Sequence, residues 1–154
     1  MSEYQHILIA VDLTEHSETV ARRAQALAGQ NGARLSLLHV VEYIPVDPAG
    51  EALLPTPVNL EDELVESARS RLDALASALG IGECRRFVEI GSIKAEIVRI
   101  ATEQQVDLIV LGSRERHGLA VLLGSTEKSV LAQAPCDVLA VRLGEAGKTA
   151  EPSA

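Results

Sequence analysis

The chain has 154 residues, enough for one domain with a sizeable core; 47% of them are hydrophobic, only 2% are aromatic, and none is tryptophan. A core of that composition has to be built from Val, Leu, Ile and Ala, and a mean hydropathy of +0.14 excludes a chain that is disordered throughout. The formal charge of −8 repels nucleic acid and anionic lipid, which excludes both as expected partners.

In chain order, the start from Met1 to His6 has no basic stretch ahead of an apolar one, hence no secretory signal. His6–Val11 is a near-continuous apolar run, the pattern of a central strand buried on both faces, and Asp12 follows at its carboxyl end. Thr14 to Ser17 offers N-cap candidates for a helix with the stripe Val20, Ala21, Ala24, Leu27 and Ala28, and Gly29-Gln30-Asn31-Gly32 stops it. Leu35–Val41 is a second buried strand. Residues 43–57 carry Pro45, Pro48, Gly50, Pro55 and Pro57 and form a loop. Asn59 caps a helix striped by Leu60, Leu64, Ala68, Leu72, Leu75 and Leu79, and Gly80 and Gly82 end it.

Cys84–Ile90 alternates imperfectly and carries Arg85, Arg86 and Glu89, which suits an edge strand. Gly91-Ser92 leads into a helix with Ile93, Ile97, Ile100 and Ala101 on one face. Leu108–Leu111 is a fourth buried strand, expected to break at Gly112. Gly124-Ser125-Thr126 then opens a helix spaced by Glu127, Val130, Leu131 and Ala134, which Pro135 stops. Cys136–Leu143 is a fifth strand. Residues 1–143 form a single domain, and 144–154 are a polar tail without apolar period.

Strict alternation of strand and helix predicts an α/β fold, an open doubly wound parallel sheet with helices on both faces. In such sheets the ligand crevice lies at the carboxyl ends of the strands, where the winding reverses. If the first and fourth strands are neighbours there, Asp12 and Gly112 meet at one site. Gly124, Ser125 and Thr126 suit an anion, because a helix start offers unpaired N–H groups and the hydroxyls add donors. The plainer reading is a strand–loop–helix connection with Ser125 as N-cap.

At this point the chain resembles the universal stress proteins. The matching residues are Ile7–Asp12 (I-L-I-A-V-D), Leu37–Val40 (L-L-H-V), Asp107–Ser113 (D-L-I-V-L-G-S), Gly124–Thr126 and Ala134–Val141 (A-P-C-D-V-L-A-V), in register across residues 4 to 143. The resemblance implies the adenine nucleotide α-hydrolase-like, Rossmann-like fold with strand order 3-2-1-4-5. It also implies a homodimer through the fifth strand. One group of the family binds ATP through a loop reading Gly, two residues, Gly, nine residues, then Gly and Ser or Thr. The universal stress protein A-like group lacks that loop. Here Gly112 matches, Ser113 and Arg114 fill the gap, Glu115 replaces the second glycine, eight residues from Arg116 to Leu123 replace nine, and Gly124-Ser125 matches again.

Implied cofactor contacts are therefore Asp12, Val40, Gly112, Ser113, Arg114, Gly124, Ser125 and Thr126. The chain looks closer to the group without ATP, so no cofactor is firmly expected; an occupied site takes ATP or AMP, with magnesium. Glu115 places a carboxylate where the loop closes on a triphosphate, and Arg114 and Arg116 flank it. Asp12 reads either as an acceptor for adenine or ribose, or as a strand-end carboxylate capping the next helix. Val40 reads as an adenine neighbour or a core valine, His39 as a satisfied core histidine, and His117 as solvated. No catalytic triad order, Gly-Lys-Ser/Thr motif or metal cluster stands out, so an enzyme is not the expected reading. Cys84 and Cys136 fall on opposite sheet edges, too far apart to pair. The expectation is a cytoplasmic, dimeric stress-response protein with a degenerate nucleotide loop. The alternative is an ATP-binding member with slow hydrolysis or a switch role.

Overall fold

Ile7, Leu8 and Ile9 are all fully inaccessible, so β1 (His6–Ala10) has to be covered on both faces and flanked on both edges. The computed structural model describes residues 3–42, 60–114 and 130–143 and supplies those neighbours. After β1 come α1 (Ser17–Asn31), β2 (Arg34–Val41), α2 (Leu60–Ala78), β3 (Arg85–Ile90), α3 (Ile93–Glu103), β4 (Leu108–Arg114) and β5 (Asp137–Leu143). All strand pairs are parallel and the sheet order is β3-β2-β1-β4-β5.

Side-chain alternation divides the core in two. Ile7, Ile9, Leu37 and Val110 face α1 and α2, meeting Ala21, Ala24, Leu72 and Ala76. Leu8, Leu38 and Ile109 face the other way, onto Ile97 and Ile100 of α3 and onto Val130. Alanines at the helix contacts let the helices lie close to the sheet, and each fully buried Leu or Ile contributes about 1.5–3 kcal/mol. No helix among the described residues is long and apolar enough to cross a membrane.

Five details depart from the sequence reading. β4 does not break at Gly112: it continues to Arg114, because β5 offers partners there, Gly112 to Val141, Ser113 to Arg142 and Arg114 to Leu143. Gly29 lies inside α1, and the stop is Gly32 alone, at φ 66. The N-cap of α1 is His16, inside the expected stretch Thr14 to Ser17, but it makes no side-chain cap bond. Leu64 is 36% exposed, since α2 buries only Ala68, Leu72 and Ala76 against the sheet. Leu131 is 58% exposed, because one residue beyond buried Val130 turns about 100° away from the sheet. The Pro-rich loop at 43–57, the Asn59 cap, Glu115, the Gly124-Ser125-Thr126 cradle and the 144–154 tail lie outside the described residues.

The amino end of the sheet is closed by a polar network that periodicity did not reveal. His6 is 2% exposed. Its Nδ1–H donates to the carbonyl of Gln104 at 3.1 Å, and its Nε2 lies 2.7 Å from the hydroxyl of buried Ser36. The Gln104 carbonyl, which can only accept, is nearer to Nδ1 than the Arg34 Nη2 donor at 3.4 Å and so favours the tautomer in which the Ser36 hydroxyl donates to Nε2. Asp107, just before β4, accepts from the backbone N–H groups of Gln5 and His6 at 2.9 and 3.0 Å. It thereby ties the start of β1 to the start of β4.

Candidate functional site

β1 pairs with β2 on one side and with β4 on the other, so the winding reverses between them. At their carboxyl ends lies a cleft of about 480 Å³, within the usual range for small-molecule sites. Its walls are mostly apolar: Val11, Leu38, Val40, Ile93, Ile97 and Leu111 among them. Asp12, His16, Ser17, His39 and Glu42 supply the polar groups. Asp12 and Gly112, far apart in sequence, do line this one space, together with Val40.

Asp12 Oδ1 accepts from the Thr14 backbone N–H at 3.0 Å, from Thr14 Oγ1 at 2.7 Å and from Ser17 Oγ at 3.2 Å. Ser17 is the first residue of α1, so the carboxylate organises the β1–α1 turn while it lines the cleft. The turn carries a cost. Leu13, between Asp12 and Thr14, has φ 60, a left-handed conformation that disfavours an L side chain by about 1–2 kcal/mol. Two contacts offset it: the Leu13 side chain is buried in the core, and its carbonyl accepts from Arg71 Nη2 of α2.

His39 donates from Nδ1 to the carbonyl of Val11 at 2.9 Å, which makes it a satisfied histidine at the cleft wall and joins the ends of β1 and β2. Val40 is buried in the α3-side core and also lines the cleft. A Cβ at Gly112 would lie 2.8 Å from Leu143 Cδ1 and 3.2 Å from Val20 Cγ2. Close packing by β5 and α1 therefore gives this glycine a structural reason independent of any ligand. Ser113 is half-buried, and Arg114 ends β4 by pairing with Leu143.

Sequence reasoning missed several cleft residues. It reaches His16 and Ser17 only as members of the cap-candidate stretch Thr14 to Ser17, and gives Glu42 and Leu143 no place in the cleft. Arg71 gave no signal, being one more charged residue on the solvent side of an amphipathic helix. Among the described residues no group of three His, Cys, Asp or Glu could hold a metal ion. Both cysteines are free and half-buried. Burial pushes the Cys136 thiol up to about 11 and raises Cys84 as well, so neither is a thiolate at neutral pH.

The profile of the Universal stress protein family matches residues 3–142. Universal stress protein A homolog 1 of Coxiella burnetii is 39% identical over 142 residues, 92% of this chain and 99% of that one. The structure of universal stress protein UspA from Lactobacillus plantarum superposes with a TM-score of 0.69 at 26% identity, covering 92% of this chain and 100% of that one. A universal stress protein solved in complex with cAMP has the same fold, with a TM-score of 0.57 at 22% identity over 91% of this chain and 98% of its own. With its sheet order, its cleft at the β1–β4 switch point and relatives matched along nearly their whole length, the chain belongs to the universal stress protein family.

Proposed function

We propose that this is a cytoplasmic, homodimeric stress-response protein whose cleft receives the adenosine part of an adenine nucleotide, grips the triphosphate poorly and carries out no catalytic step. The observation that supports this most is the cleft itself, with apolar walls for a ring and Asp12, Val40 and Gly112 around one space at the switch point. The weak grip on ATP rests on sequence. Glycine in place of Glu115 would let the loop take positive φ over the phosphates, whereas glutamate resists that conformation and adds a negative charge. Like charges near ~4 Å oppose each other by about 1–4 kcal/mol, depending on exposure.

The test is calorimetric titration of the purified protein with AMP, and with ATP and magnesium, at fixed salt. AMP is expected to bind, and ATP to bind no tighter than the high micromolar range. Glu115→Gly should strengthen ATP, not AMP. Low-micromolar ATP binding by the wild type would hand the site to the ATP-dependent reading, with Arg114 and Arg116 neutralising the carboxylate.

The dimer is proposed through β5. Its outer edge has no strand partner among the described residues, and Val138, Leu139 and Val141 on it are half-buried while Ala140 and Arg142 are exposed. An open apolar edge of that kind associates unless something covers it. Sedimentation should give a dimer at micromolar concentration, and Ala140→Lys, which adds charge without removing a core side chain, should shift it toward monomer. A wild-type monomer at that concentration refutes this interface.

A further inference from the structure

We propose that Arg71 is a positioning residue for the cleft. It holds one peptide unit, Leu13–Thr14, in the orientation that fixes the Asp12 carboxylate. This deepens the nucleotide reading given above and rests on it.

The inference stands on the two ends of a single peptide plane. The Leu13 carbonyl accepts from Arg71 Nη2 on α2, and the Thr14 N–H of the same unit donates to Asp12 Oδ1 at 3.0 Å. A peptide is planar, so its C=O and N–H point in opposite directions and cannot turn independently. Whatever holds the carbonyl toward α2 therefore also aims the N–H at Asp12. The turn that contains this peptide is strained, since Leu13 has φ 60. Such strained residues persist only where their surroundings over-determine them, and they gather at ligand sites. Here the surroundings are the buried Leu13 side chain and the charged donor from a helix 58 residues away. A charge-assisted bond to a carbonyl is about twice as strong as a neutral one, which suits a clamp.

Losing the guanidinium would free this peptide to turn about ψ of Leu13 and φ of Thr14. The Thr14 N–H would then leave Asp12, and the carboxylate would keep the two hydroxyl contacts, Thr14 Oγ1 and Ser17 Oγ, without the backbone donor that sets its direction. Arg71 lies on the exposed side of α2, where its replacement removes no core contact. A second shallow groove, lined by Leu13, Thr14, Glu15, Ser17, Glu18, Arg71 and Leu75, runs along this contact.

The experiment compares the wild type, Arg71→Met, which keeps the apolar stem and removes the donor, and Arg71→Lys, which keeps a cationic donor. In the ligand-free protein the Thr14 amide is followed by ¹⁵N NMR and hydrogen exchange. Arg71→Met should move the Thr14 resonance and lower its protection about tenfold, the loss of one hydrogen bond to a charged group, with β1 amides and the urea midpoint little changed. Arg71→Lys should restore most of the effect. AMP affinity should fall about three- to tenfold in Arg71→Met and recover in Arg71→Lys. An unchanged Thr14 amide in Arg71→Met overturns the proposal, as does a changed amide with unchanged AMP affinity. If the wild type itself fails to bind AMP, the nucleotide reading falls, and the Thr14 amide still decides whether Arg71 sets the turn at Asp12.

Discussion

His6→Ala is expected to destabilise the protein by about 3 kcal/mol, read from urea unfolding followed by circular dichroism. The imidazole is buried and bonded at both nitrogens, to the Gln104 carbonyl and to the Ser36 hydroxyl. Alanine leaves a cavity at the start of β1 and strips the Ser36 hydroxyl, itself buried, of its partner. Removing both should therefore cost less than the sum of the single changes: Ser36→Ala in the His6→Ala background should cost little or nothing further. The same histidine predicts a pH dependence. Burial pulls its pKa below the ordinary 6.5; the Gln104 carbonyl opposes this, Arg34 reinforces it, and Asp107 and Arg85 contribute smaller opposing and reinforcing effects. Below pH 6.5 the unfolded chain takes up a proton that the native state resists, so stability should decline as pH falls from 6.5 toward the lowered native value. Above that window His6 contributes no slope. His6→Ala should remove this part of the pH profile, and a profile identical to wild type would show that the buried imidazole is not its source.

Gly112→Val is the other change with a large expected effect. Carbon atoms pack best about 3.5–4.0 Å apart, and a Cβ here starts at 2.8 Å from Leu143 Cδ1 and 3.2 Å from Val20 Cγ2. The leucine methyl can swing aside, whereas Val20 is β-branched and fixed in α1. Alanine should accordingly cost about 1 kcal/mol and valine about 3 kcal/mol. The origin of the cost is separable. In a Leu143→Ala background most of the penalty of Gly112→Ala should disappear, a coupling that denaturant titration of the four proteins measures. AMP titration of the Gly112→Ala, Leu143→Ala pair then asks whether the added methyl obstructs the cleft in a protein whose packing has been relieved. A full penalty persisting without the Leu143 side chain would place the clash elsewhere.

The fold was legible because its signals were periodic. His6–Val11 and Leu108–Leu111 announced buried parallel strands through near-continuous apolar runs, and the order β3-β2-β1-β4-β5 matches what the family resemblance implied. Periodicity failed where burial depends on what lies beneath a helix rather than on its own stripe, as at Leu64 and Leu131. It failed again at Gly112, where a glycine read as a strand breaker proved to be a strand residue that lets two neighbours approach. At the cleft, Asp12 and Val40 could be named because they sit at strand ends in a recognised frame. Arg71 could not, since nothing in its local sequence distinguishes a side chain that reaches another element's carbonyl from one that reaches water. The same holds for His6 and Ser36, which meet only after two strands have paired in register.

The strand order also sets a timetable. β3, β2 and β1 come from the first part of the chain, whereas the partner on the other side of β1 begins at Leu108. During synthesis at about 5–20 residues per second, that edge of β1 waits on the order of 5–20 s for β4. Throughout this interval Ile7, Leu8 and Ile9 belong to an open, apolar edge, the kind prone to pair with another chain. Non-local parallel pairing is slow in any case, because loop closure precedes the contacts that reward it. The nascent protein is therefore most exposed to aggregation after α2 and β3 have emerged and before β4 has. A chaperone bound to the nascent chain at that stage would be holding β1.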